Sequence, residues 1–409
     1  MTYKVKNLPC GWEIKKMTDV VEWGSGGTPK ATEKDYYENG TIPWLVIGDL
    51  NDGIILESAT KITQLGLKNS NAKMIPTNTL LVAMYGSIGK LGITGIECCT
   101  NQAIAYAKKL NGVTTKYMYY YMSMIKPELI MLGKGGTQKN ISQTILNSLD
   151  VIVPSISEQD RIVAFLDERF LELDKIVETL QLAKKQLSVY RQSVLKDVFE
   201  KEDEFVNTTI GEVLEKLTDY HANGSYEALK ANVELLDSPD YAIMVRSTNF
   251  EKNDFEEDVK YISKHSYDFL KKSQLFGEEV LMGKIGNAGK VYYMKDLGRP
   301  MSLAMNMFAM TFKNNINSKY VYYYLSSPSA KQDIKRYIKG VGTPTIDKKS
   351  VRSLMFKYPK ETIKQKKIVE EIEMRLSLCE NIEKMICDIF QKTEAMRQSI
   401  LRKVFEGTL

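Results

Sequence analysis

The chain repeats itself. Residues 86–90 (GSIGK) recur at 286–290 (GNAGK), and LLVAMY at 80–85 matches VLMGKI at 280–285 with the same shift of 200. KYMYYYMS at 116–123 returns as KYVYYYLS at 319–326, and RQSVLKDVFE at 191–200 returns as RQSILRKVFE at 397–406, with shifts of 203 and 206. Gly136-Thr137 matches Gly342-Thr343, and Pro154 matches Pro359. Blocks that keep their order while the shift grows by a few residues mark a tandem duplication, which constrains the architecture more than any single motif. Two related globular segments, each followed by the same tail, are expected.

The tails read as long helices. From Ile162, apolar residues fall at Leu166, Phe170, Leu173, Ile176, Leu180, Ala183, Leu187, Tyr190, Val194 and Val198, steps of three and four over about five heptads. The second tail repeats the stripe at Ile368, Ile372, Leu376, Cys379, Ile382, Ile386, Ile389, Met396, Ile400 and Val404, with Thr393 as its polar break. At 1.5 Å per residue each helix would span roughly 60 Å. Stripes this long with no Pro or Gly break point to a coiled-coil pair rather than to a helix lying on its own domain. The first helix hands the chain to the second segment, so its partner must return, and the pair is expected to be antiparallel about a pseudo-twofold axis. The organisation predicted is a globular segment over 1–155, a central helix over 156–205, a second globular segment over 206–360 and a C-terminal helix over 361–409. Short strands at 42–47, 80–85, 103–109 and 149–153, with one helix per segment at 115–132 and 318–338, give an α+β class.

Composition excludes several alternatives. With 43% hydrophobic and 26% charged residues, the chain is globular rather than disordered. The longest charge-free stretch, between Lys73 and Lys90, is broken by Pro76, Thr77, Asn78, Thr79 and Ser87, so no transmembrane span is expected. The opening MTYKVKNLPCGW has no apolar run behind its lysines and does not read as a secretory signal, so a cytoplasmic protein is expected. Five cysteines without a CxxC pair argue against a disulfide framework or a thiolate metal cage, and two histidines leave little for a zinc site or a His-dependent triad. GSIGK and GNAGK lack the four-residue gap and the following Ser or Thr of a phosphate-binding loop, so a strand-to-strand turn is predicted there. Pro239-Asp240 with Asp258-Val259-Lys260 fits a loose magnesium-nuclease pattern, but Asp240 follows a turn-forming Ser-Pro and Asp258 lies in an acidic patch. The pattern reads as coincidence.

Charge points elsewhere. Lys plus Arg exceed Asp plus Glu by 4 in residues 1–155 and by 5 in 206–360, whereas the tails are acidic or neutral. Two mildly basic domains held apart by a rigid spacer suit two half-sites on duplex DNA. Glycine loops let backbone approach phosphate, and three of them carry basic and polar groups: 24–30 (GSGGTPK), 133–140 (GKGGTQKN) and 339–345 (KGVGTPT). Candidate DNA contacts are therefore Lys30, Lys90, Lys134, Thr137, Gln138, Lys139 and Asn140 in the first half, and Asn287, Lys290, Lys339, Thr343 and Thr345 in the second. The tyrosine clusters at 119–121 and 322–324 lie on helices and read as packing.

The chain resembles the specificity subunit of type I restriction-modification enzymes over essentially its whole length. The resemblance rests on LPCGW at the start, LDVIVP and SEQDRIVAFLDE at the entry to the first helix, and RQSVLKDVFE at its end. FKYP, QKKIVEEIE and RQSILRKVFEGTL repeat this in the second copy, with Lys364-Gln365 in place of Glu158-Gln159 and no LPxGW opening. The resemblance implies a non-catalytic DNA reader. Each globular segment would be a target recognition domain for one half of a bipartite asymmetric site, and the helices would set the gap. Two methyltransferase subunits, and a restriction/translocase subunit, would dock on the helices, with Glu158, Gln159, Arg191, Gln192, Gln365, Arg397 and Gln398 as candidate partner contacts. S-adenosylmethionine, ATP and Mg2+ would belong to those partners, with no cofactor on this chain; it has no NPPY-like tetrapeptide, dinucleotide fingerprint or phosphate-binding loop.

The duplication also bounds the base readers. Positions identical in both halves cannot distinguish two different half-sites, so the divergent segments 24–38, 48–73, 220–230 and 246–271 are favoured. Arg246, Asn249 and Asn232 stand out, since Arg pairs with guanine and Asn with adenine in the major groove. Residues 1–155 contain no arginine, so the first half must rely on other side chains. A methylation-only or other defence system would share nearly all these features, and a coiled-coil protein scaffold is the remaining alternative.

Overall fold

The structure, a computed structural model, describes residues 8–133, 140–200 and 205–408. The chain divides into two compact units, one of residues 1–180 with 387–409 and the other of residues 181–386. Both boundaries cut the long helices, Ile156–Glu200 and Thr362–Phe405. Each unit is thus a globular segment joined to the start of one long helix and the end of the other.

In the first unit a five-stranded sheet runs in the order Val21–Ser25, Ile104–Leu110, Leu80–Ala83, Leu91–Thr94, Gly53–Ile55. A three-stranded sheet pairs Ile42–Leu45 with Lys61–Ile62 and, in parallel, with Cys99–Thr100. Glu13–Lys16 pairs antiparallel with Asp150–Val153, joining the chain's beginning to the strand that feeds the first long helix. The second unit repeats the plan. Its sheets run Leu214–Asp219, Met307–Phe312, Val280–Gly283, Val291–Tyr293 and Lys260–Ile262, Ala242–Val245, Met301–Leu303, Gln274–Leu275, and Val206–Thr209 pairs with Met355–Tyr358. The predicted turns are present: GSIGK and GNAGK each join two antiparallel strands.

The helix Thr115–Leu132 is capped by the Thr114 hydroxyl, which accepts from the Tyr117 amide at 3.3 Å. Its counterpart departs from the single helix expected over 318–338. It breaks into Ser318–Ser326 and Pro328–Tyr337, because Ser327 caps a new helix with Pro328 in its first turn. Pro127 has no such cap before it, and that helix runs on. The tyrosines are core groups. Tyr117 and Tyr320 are fully buried, and their hydroxyls donate to the carbonyls of Ile152 (2.8 Å) and Lys357 (3.0 Å) on the helix-feeding strands.

The far ends of the long helices complete these cores. Phe405 meets Tyr117 and Tyr121 edge-on at 5.3 Å in the first unit, and Phe199 meets Tyr320 and Tyr324 at 5.4 Å in the second. Within each unit the two helix segments run antiparallel. Asp174 pairs with Arg397 at 2.6 Å while Ile162 lies with Val404; in the other unit Asp197 pairs with Arg375 (3.3 Å) and Arg191 with Glu383 (3.0 Å). The apolar stripe is not evenly covered. Leu166, Phe170, Val198, Ile372 and Leu401 are buried against the globular segments, whereas Ile176 and Ile382 are each 44% exposed. Among the described residues no helix is long and apolar enough to cross a membrane.

Candidate nucleic-acid interface

The two glycine turns have one backbone design. Gly286 and Gly289 take φ of +78° and +79°, the left-handed region that favours glycine, and Gly86 and Gly89 take +65° and +74°. Gly289 N–H donates to Gly283 O at 2.9 Å and Lys290 N–H to Asn287 O at 3.1 Å; Gly89 to Ala83 (3.0 Å) and Lys90 to Ser87 (3.1 Å) repeat the pattern. A Cβ on Gly289 would stand 2.4 Å from the Ile334 side chain, so the turn is also closely packed.

In the second unit another loop folds onto the turn. Lys339 and Thr345 exchange two backbone bonds (2.9 and 2.8 Å), Gly286 N–H donates to Pro344 O at 2.9 Å, and Ile346 N–H to Lys284 O at 3.1 Å. Asn287, Lys290, Lys339, Thr343 and Thr345 are thereby gathered along one rim. In the first unit Asn140 bridges to Tyr85 beside the turn carrying Lys90, and Ile141 N–H donates to Met84 O at 2.8 Å. Lys134, Thr137, Gln138 and Lys139 lie outside the described residues.

The charges on the rim are partly committed. Glu251 accepts from Lys290 with both oxygens at 2.6 Å and from the Tyr292 hydroxyl at 2.6 Å; these bonds hold its carboxyl below the usual range. Lys339 pairs with Asp347 at 3.6 Å, while Lys90 donates to the Ile47 carbonyl at 3.4 Å. Lys30, 72% exposed, pairs with Glu33 at 3.0 Å.

Beside this rim lies a cluster the sequence did not reveal. Asp219, with its side chain 6% exposed, accepts from Lys284 and Lys348, each at 2.8 Å. Burial pushes the Asp219 carboxyl upward, but the two ammonium groups outweigh it and hold the group below its ordinary value. By strand register, repeat position and helix cap, the counterparts in the first unit are Ser25, Met84 and Gln143, all neutral. The only sequence signal was therefore a difference between copies.

Among the divergent positions, Arg246 follows the strand Ala242–Val245 and donates from Nη2 to the Asp258 carbonyl at 2.9 Å. Asn232, at the end of its helix, is turned inward: Nδ2 donates to Ala228 O (2.8 Å) and Oδ1 meets His265 Nε2 at 3.1 Å. Asn249 is a correction to the sequence reading. It is 1% exposed, its Oδ1 accepts from the Arg246 amide (2.9 Å), and its Nδ2 donates to the carbonyls of Asp254 and Asp258 (3.1 Å each), leaving nothing for a base edge. Asp49 makes the equivalent bond to the Val46 amide at 2.8 Å, so this position is a cap in both units.

Two of the candidate partner contacts point inward, and the other five are half-buried. Gln159 is fully buried, donates to the carbonyls of Gly112 (2.8 Å) and Pro154 (3.0 Å), and accepts from the Thr114 amide at 2.9 Å. Gln365 does the same with Asn315 (3.0 Å), Pro359 (2.9 Å) and Asn317 (2.8 Å). These glutamines clamp the helix entries and cannot be docking surface. Arg191 and Arg397 form the helix–helix ion pairs, Gln192 accepts from Lys331 at 3.3 Å, and Gln398 donates to Ser123 O at 3.4 Å. Glu158 pairs with Arg161 at 2.7 Å. The RQS motif recurs because it seats a helix end on a domain. The nuclease-like pattern does not assemble, since Asp258 is held by Arg246 and Lys252, and Lys260 by Asp237.

A family model described as the type I restriction modification DNA specificity domain matches residues 9–184 and again residues 202–386. The chain is 23% identical to the MjaVIII specificity subunit of Methanocaldococcus jannaschii, with 98% of this chain and 94% of the relative covered. It is 29% identical to the EcoR124I/EcoR124II specificity subunit of Escherichia coli over 44% of this chain, a match that spans less than half of that relative's length, 47%. A solved structure titled "Structural basis underlying complex assembly and conformational transition of the type I R-M system" shares the fold, with a TM-score of 0.70, 14% identity, and coverage of 98% of this chain and all of that one.

Proposed function

The chain belongs to the type I restriction-modification DNA specificity family, and on that premise we propose that it is the non-catalytic, sequence-reading subunit of a DNA adenine methyltransferase and restriction complex. Each unit binds one half of a bipartite, asymmetric duplex site. The observation that carries this reading is one strand-and-turn scaffold, built twice, with different side chains on it: Lys284, Asp219 and Lys348 in the second unit stand where Met84, Ser25 and Gln143 stand in the first. Shared backbone suits phosphate contacts and divergent side chains suit two different half-sites.

The long helices set the spacing of the half-sites and carry the partners: two methyltransferase subunits and, in a restricting system, the translocase subunits. Exposed apolar side chains support a protein-covered surface, with Leu171 and Ile176 in the first unit and Val189, Met374, Leu378 and Met385 in the second. S-adenosylmethionine, ATP and Mg2+ are held by those partners. The complex works in the cytoplasm.

Duplex binding measured across a salt series tests the reading. Neutralising several phosphates makes log affinity fall linearly with log salt, with a slope of about −0.9 per phosphate contacted. A slope of several units, with specific sites retained longest, is expected. A coiled-coil scaffold would bind duplex DNA weakly and indifferently to sequence.

A further inference from the structure

Resting on that reading, we infer that a pocket in the second unit reads a guanine of its half-site, with Arg246 as the specificity-determining residue and Asp258 as the group that positions it. The pocket, of about 230 Å³, opens where the strand Ala242–Val245 ends, and Tyr220, Met244, Arg246, Thr248, Asn306 and Met307 line it. It adjoins the basic rim. Tyr220 follows Asp219, and the Asn306 carbonyl accepts from the Lys284 amide at 2.8 Å, so the pocket and the Lys284–Asp219–Lys348 cluster share a wall.

Arg246 is placed rather than free. Its Nη2 donates to the Asp258 carbonyl (2.9 Å) and approaches the Asp258 carboxylate (3.4 Å), while Lys252 holds the other carboxylate oxygen. Its Nε–H is buried and unpaired, whereas Nη1 makes no hydrogen bond among the described residues and belongs to a side chain 27% exposed on the pocket lining, which leaves its N–H groups for a ligand. A guanidinium fixed on one side with donors unspent is suited to the O6 and N7 acceptors of guanine, and the methionines beside it suit an apolar base edge.

The duplication supplies an internal control. Val46 occupies the position of Arg246: both follow the strand paired in parallel at the same register, and both donate their amide to the cap residue three positions on. The two units therefore offer opposite chemistry at one structural site, as reading two different half-sites requires.

The test is selection of bound sequences from randomised duplex DNA by the full-length chain co-purified with its methyltransferase subunits, comparing wild type with Arg246→Val, Asp258→Asn and Asn306→Ala. Arg246→Val is expected to lose about ten- to a hundredfold preference for one G·C pair in one half-site, leaving the other half-site intact. Asp258→Asn should relax the same position less. Asn306→Ala, an exposed pocket residue with no side-chain bond to lose, probes the same wall where Arg246→Val fails to fold, and should alter that base or its neighbour. A motif unchanged in all folded variants, or an affinity loss equal across all sequences, overturns the assignment. No motif for the wild type would instead overturn the reading on which it rests.

Discussion

Gln159 and Gln365 hold the long helices to their domains, each spending both side-chain atoms on three buried backbone groups. Gln159→Ala leaves two carbonyls and an amide unmet, and a loss of about 2–4 kcal/mol in denaturant unfolding is expected. A docking residue would behave differently, keeping stability and losing the partner. Asp219 makes a pH prediction. Its carboxyl is held below its ordinary value of 3.8, so its contribution is complete above that pH and disappears as pH falls through the lower native-state value. Acid unfolding of Asp219→Asn should accordingly show a shallower loss below about pH 4 than the wild type, from a starting point about 1–3 kcal/mol less stable at neutral pH. Residue identity alone could suggest Arg246 but not separate it from Asn249. An asparagine that caps and one that reads a base look alike until backbone geometry shows which groups it meets, and Asp219 acquires its two lysines only through contacts 65 and 129 residues away in sequence.

Helix ends, rather than helix middles, make the strongest contacts of the two long elements. Phe405 packs among Tyr117 and Tyr121, and truncating it to Ala should cost about 3–5 kcal/mol. Hydrogen exchange should report the loss first in residues 8–180 and 387–408, and Phe199→Ala should report it in residues 205–386. Equal loosening of both units by either variant would contradict this division. Gly289→Ala meets both a positive φ and the Ile334 side chain and should be worse than Gly286→Ala, where no atom lies within 4 Å; thermal unfolding of the pair measures the difference. Periodicity made the long helices legible because a 3.6-residue repeat survives over ten turns. It could not show that the stripe is covered at its ends and open at Ile176 and Ile382, since burial there depends on where each globular segment stops. The break at Ser327-Pro328 was written in the residues as a serine cap followed by a first-turn proline, a signal hidden by the match to the uninterrupted helix of the first copy.

On the scale of the whole molecule, the duplication places two versions of one scaffold in a single chain, and each unit borrows the end of the other's long helix to complete its core. On the proposed function, one chain would then carry two independent half-site specificities, because altering the exposed side chains of one unit would leave the other's fold intact. The most direct measurement is a map of N6-methyladenine in the DNA of cells expressing the chain with the methyltransferase proposed as its partner, repeated after deleting the chain and after exchanging residues 1–155 for those of a relative. The account expects a bipartite asymmetric motif with an unspecified centre that vanishes on deletion and changes in one half alone on exchange. Methylation that persists unchanged without the chain, or an exchange that rewrites both halves together, would contradict it.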